Sequence, residues 1–124
     1  MSAGAKLRVG LGVAFLLLMG YTGITGGLQQ IGQSATLGQR IQTATQLVFG
    51  LLGVAAVATL VVRRRWARLM LVAWGAAISI SGGMAVVVWG GQGPLPAAAA
   101  TVGSALIAWL TLWAVRPAMT PAPA

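Results

Sequence analysis

The eight basic residues of this chain stand in a sequence with no Asp, Glu or His, and they divide it into three long uncharged intervals. Between Arg8 and Arg40 lie 31 uncharged residues, between Arg40 and Arg63 lie 22, and between Arg68 and Arg116 lie 47. A bilayer core about 30 Å thick is crossed by roughly 20 apolar residues at 1.5 Å each, so each interval is long enough for at least one spanning helix. The third is too long for one, and Gly90-Gly91-Gln92-Gly93-Pro94-Leu95-Pro96 divides it with residues that break helices. Composition agrees: 58% of the residues are hydrophobic and 6% charged, against about a quarter charged in soluble domains.

The expected architecture is all-α: an integral membrane four-helix bundle with antiparallel neighbours, forming one domain over residues 1–116. Helices are expected at about 7–25, 41–62, 67–89 and 97–115, followed by a flexible cytoplasmic tail at 117–124 that holds three of the five prolines. The junction Arg63-Arg64-Arg65-Trp66 is short enough to make helices two and three adjacent. Gly26 to Arg40 is longer. It reads either as an irregular polar loop or as a short interfacial helix with Leu28, Ile31 and Ala35 on one side and Gln29, Gln30 and Gln33 on the other.

Basic residues are retained in the cytoplasm, which sets the threading. With the N-terminus inside, Lys6, Arg8, Arg63, Arg64, Arg65, Arg68 and Arg116 are cytoplasmic and only Arg40 is outside. Trp66, Trp109 and Trp113 then fall toward the inner interface, and Tyr21 and Trp89 toward the outer one, while Trp74 is expected to pack against a neighbouring helix. Lys6 and Arg8 ahead of the apolar run from Val9 to Met19 also fit a secretory signal. Retention as the first span is the expectation, and cleavage the alternative. The expected location is the bacterial cytoplasmic (inner) membrane.

Helices in lipid associate through small residues that let backbones approach. Gly75, Ser79 and Gly83 repeat every four residues on helix three and are the expected packing row, with Ala77, Ser81 and Ala85 beside it and Ala100, Ser104 and Ala108 on helix four. Gly23 and Gly27 form a G-x-x-x-G that fits either a dimer face or packing inside one bundle.

The missing residue types restrict chemistry. Ser79, Ser81, Ser104, Tyr21 and Lys6 have no sequence-visible base to activate them, so no enzyme and no catalytic residue is expected. Without His or Cys the usual haem, zinc and iron–sulfur ligands are missing, and no cofactor or metal site is expected. No span carries a charge at its middle, as coupled transporters do. Two polar groups remain. Arg63, Arg64, Arg65 and Arg68 are expected to bind anionic lipid at the cytoplasmic face, with no nucleic acid as partner. Gln39, Arg40, Gln42 and Gln46 begin helix two, with the three amides at helical spacing on one face. They fit either headgroup and loop contacts or an outer polar site, and Gln46, the deepest, needs a partner such as Thr22 or Thr25.

The stretch Val48-Phe49-Gly50-Leu51-Leu52-Gly53-Val54 leading into Arg63-Arg64-Arg65-Trp66-Ala67-Arg68 resembles the second-to-third-helix passage of DoxX-like small inner-membrane proteins. That resemblance implies a four-helix bundle that accompanies respiratory or redox-linked proteins, and it transfers no catalytic residue. The function expected is that of a non-catalytic accessory or assembly subunit, partnered with other membrane subunits or with itself. An oligomeric passive channel or small-solute transporter is the alternative.

Overall fold

A computed structural model describes residues 2–62 and 64–119, the side chain of Arg64 excepted. It contains α1 (Ala3–Ile31), α2 (Leu37–Val62), α3 (Arg64–Val88) and α4 (Pro94–Met119). All four are long and apolar enough to cross a membrane. Each packs on its chain neighbours, and α1 closes the ring on α4. Adjacent helices run antiparallel, so the order is up-down-up-down. The N-terminus of α1, the α2–α3 junction and the C-terminus of α4 lie at one end, the arginine end; the α1–α2 and α3–α4 turns lie at the other, the glutamine end.

All four helices begin three or four residues before the expected spans, and α1 and α4 also end later, whereas α3 ends one residue earlier. Ser2 caps α1, its Oγ accepting the Ala5 N–H at 3.1 Å, so the helix begins at Ala3 rather than near Leu7. Gly26 and Gly27 do not stop α1. A Cβ at Gly27 would stand 2.6 Å from Leu47 Cδ2, and one at Gly26 would stand 2.6 Å from Gln46 Nε2, so both glycines serve close helix packing. The expected loop at 26–40 is therefore corrected to a turn over 32–36, with neither a long irregular loop nor a separate interfacial helix. Thr36 and Gln39 then start α2 with a capping box. Thr36 Oγ1 accepts the Gln39 N–H at 3.1 Å, while Gln39 Oε1 accepts the N–H groups of Ala35 and Thr36 at 2.9 and 3.3 Å.

At the far end of α3, Gly91 takes φ 63°, a left-handed conformation that suits glycine. Its N–H bonds to Val87 O at 3.1 Å and that of Gln92 to Val86 O at 3.2 Å, which satisfies two of the last carbonyls. Pro94 and Pro96, expected as breakers, instead open α4, because a helix's first turn has no use for their missing N–H groups. Pro117 to Met119 belong to α4 and not to a tail; residues 120–124 of the expected tail lie outside the described residues.

The core sits around Trp74, which is fully buried with Leu16, Ala56, Ala67, Leu71 and Val115. Phe15 meets Trp74 edge to face at 6.3 Å and joins α1 to α3 across the ring. Gly53 leaves room for the indole: a Cβ there would lie 3.4 Å from Trp74 Nε1, which is buried without a hydrogen-bond partner among the described residues. Trp74 is thus the packing residue expected. Tyr21 and Trp109 each lie ten residues from a helix end, about 15 Å, so neither marks that end.

Candidate functional site

In α2 the apolar sequence is interrupted by Gln42 and Gln46, one helical turn apart, and the fold turns both inward. Gln42 is 1% exposed. Its Oε1 accepts the Trp89 Nε1–H at 2.7 Å, and its Nε2 donates to Ser81 Oγ at 3.0 Å and to Gln46 Oε1 at 3.3 Å. One amide therefore joins the start of α2, the inner face of α3 and the residue that follows α3. A buried amide left unpaired is costly, and the network uses both ends of this one.

Beside the network lies a cavity of about 290 Å³ in the glutamine half of the bundle. Every helix contributes a polar side chain to its wall: Thr22 from α1, Gln42 and Gln46 from α2, Ser81 from α3 and Ser104 from α4, with Phe49, Ile78 and Ile107 as apolar lining. Gln46 Oε1 is used by Gln42, whereas no hydrogen bond from Gln46 Nε2 to the described residues forms. The partners expected for Gln46 differ from those found. Thr22 lines the cavity but bonds to Met19 O at 3.2 Å, and Thr25 bonds to Tyr21 O at 2.8 Å. Such a wall presents amides and hydroxyls, which suit a neutral polar molecule or water.

The four residues expected to form a polar site separate into three roles. Gln42 and Gln46 line the cavity. Gln39 serves the capping box, and its Nε2 donates to Val88 O at 3.1 Å, tying the start of α2 to the end of α3. Arg40 is exposed. Ser81, Trp89 and Ser104 complete the polar set. Their signal in sequence was a polar atom inside an apolar helix or at its edge, which does not reveal the partner.

The expected packing row faces α4. A Cβ at Gly75 would lie 3.1 Å from Ala108 Cβ, and one at Gly83 would collide with Thr101 Oγ1, while Ser79 Oγ bonds back to Gly75 O at 2.8 Å. Gly23 and Gly27 pack inside the chain, against Phe49 and Leu47 of α2. Of the basic group at the α2–α3 junction, Arg65 and Arg68 are exposed, with the Arg65 guanidinium 5.5 Å from the Trp66 ring centroid. Arg63 and the side chain of Arg64 lie outside the described residues.

Comparison with protein families, with curated proteins and with solved structures finds no match to this chain, so it is assigned to no family by them, the DoxX-like proteins included.

Proposed function

We propose that the chain is a non-catalytic integral protein of the bacterial inner membrane, acting as an accessory or assembly subunit of a larger membrane complex. The observation that carries this reading is the distribution of polarity. Among the described residues the buried polar side chains are Gln42, Thr43, Ser81 and Thr111, while Leu17, Leu18, Leu51, Val61, Leu106 and Trp109 are among many exposed apolar ones. Of each helix's most apolar window only 17–28% is buried. In hydrocarbon that exterior is at home, and polar groups are best satisfied inside.

Threading follows from charge. Lys6, Arg8, Arg64, Arg65, Arg68 and Arg116 belong to helix segments at the arginine end and Arg40 to the other, so the arginine end is cytoplasmic. Arg63, Arg64, Arg65 and Arg68 hold anionic lipid there. The buried amide and hydroxyls of Gln42, Ser81 and Thr111 bond within the chain, so the chain contributes packing surface to its partners rather than reaction. The fully buried Leu16, Leu71 and Trp74 speak against a conduit through a single bundle.

The chain lacks Cys, which makes a single-Cys accessibility scan direct. A Cys at position 64 is expected to resist impermeant label in intact cells while a Cys at 92 reacts; labelling at 64 overturns the threading. Purified from native membranes in mild detergent, the protein is expected in a hetero-complex of fixed stoichiometry. A homo-oligomer that passes small solutes in liposomes would replace this reading with the channel.

A further inference from the structure

The α1–α4 contact is the least extensive of the four that close the ring. A groove of about 400 Å³ runs along it, between Arg8, Leu11 and Phe15 on one side and Ile107, Leu110 and Trp113 on the other. Arg8 and Phe15 are seven positions apart, about 10 Å along the helix, so the groove leads from a guanidinium near the arginine end into apolar depth. Thr111 is the other polar residue on its wall, and its hydroxyl is engaged by Ile107 O at 2.8 Å.

Arg8 is short of partners. Its Nη2 donates to Trp113 O at 2.6 Å and its Cζ lies 3.9 Å from the Trp113 ring centroid, but its Nε is buried with no hydrogen-bond partner among the described residues. A guanidinium has five N–H donors and pairs best with a planar or tetrahedral oxyanion. This sequence contains no Asp or Glu, so neither the chain nor a second copy of it has an acidic side chain to place there. A cation at the mouth of an apolar slot is complementary to an amphiphile with an anionic head and a hydrocarbon chain.

We propose that the α1–α4 groove binds one anionic phospholipid, an acyl chain lying along Leu11, Phe15 and Leu110 and the phosphate at Arg8. The proposal rests on the membrane-spanning reading above. It differs from the attraction of lipid to the α2–α3 junction, because charge and slot are joined here and binding is one-to-one and dependent on the acyl chain.

The test titrates the full chain in neutral detergent with phosphatidylglycerol and counts bound lipid by native mass spectrometry. R8Q, Leu110→Trp and the double variant R65Q/R68Q are measured beside the unsubstituted chain. One lipid is expected to be held more tightly than the rest. R8Q weakens it about fivefold, as for the loss of one basic residue near the surface. Leu110→Trp, a change at an exposed groove position, fills the slot and abolishes it, and R65Q/R68Q retains it. Phosphatidylcholine with the same chains and glycerol phosphate without chains produce no such species. Unfolding temperatures identify a variant that has lost its fold, and if R8Q is one, Leu110→Trp decides. Equal retention by Leu110→Trp, or equal retention of phosphatidylcholine, overturns the proposal. Flotation with liposomes tests the underlying reading separately. A chain that fails to float overturns both, whereas one that floats without the tight lipid overturns the groove alone.

Discussion

Gly50 and Gly20 bring the backbones of α1 and α2 into mutual contact: a Cβ at Gly50 would lie 3.0 Å from Gly20 O, and a Cβ at Gly20 would lie 3.2 Å from Gly50 O. Beside the Ile24 side chain, the obstacles at Gly50 are backbone, Gly20 O and Ile24 N at 2.9 Å, and no rotamer change relieves those two. Gly50→Ala is therefore expected to lower stability by about 1–3 kcal/mol or more. Gly103, inside α4, has nothing within 4 Å of its added Cβ. Gly103→Ala should gain about 0.5–1 kcal/mol, because helical alanine loses less chain entropy than glycine. Thermal unfolding in detergent measures both, and equal effects of one sign would refute the packing shown.

The α3–α4 interface is graded in the same manner. Gly75→Leu and Gly83→Leu are each expected to cost about 1–3 kcal/mol, with Gly83 the worse, since Thr101 Oγ1 in its path is held by Ala97 O at 2.9 Å. Val87 is 45% exposed, and Val87→Leu should change stability by less than about 0.5 kcal/mol. Negligible effects from all three would mean that the row does not face α4.

Among the polar residues of early α2, Gln42→Ala should be the most damaging, at about 1–3 kcal/mol, because it strands the Trp89 indole N–H and the Ser81 hydroxyl. Gln39→Ala removes half of a capping box and should cost about 0.5–2 kcal/mol. Arg40→Gln should fall within about 0.5 kcal/mol of the unsubstituted chain. Gln46→Leu should cost less than Gln42→Ala, since only its oxygen is engaged. A reversed order between Gln42 and Gln46 would contradict the network.

Pro117 has no N–H to offer the carbonyl four residues earlier, which is that of Trp113, and Arg8 donates to that oxygen. Arg8→Met is expected to cost about 1–3 kcal/mol by leaving the carbonyl without this donor. In a Pro117→Ala background the helix supplies its own N–H, and the same change should cost about 1 kcal/mol less. A double-mutant cycle on unfolding temperature measures the coupling. Additive effects would show that the proline and the arginine act independently.

Sequence by itself determined four helices and their order, because helix length against a bilayer and the places where charge and proline interrupt apolar runs are local properties. It also marked Trp74 and the Gly75, Ser79, Gly83 row as packing positions. The ends of the helices were not legible, since Gly26, Gly27, Pro94 and Pro117 each carry a local signal to stop that a neighbouring helix, a first turn or a donor from α1 overrides. Gln39, Gln42 and Gln46 share one face in sequence, and nothing local says that Gln39 meets Val88 O while Gln42 meets Trp89 and Ser81. Tertiary structure alone decided those roles, and it alone placed Arg8 at Trp113. A side chain's face follows from the pitch of its own helix, but its partner follows from how another helix is rotated and shifted against it.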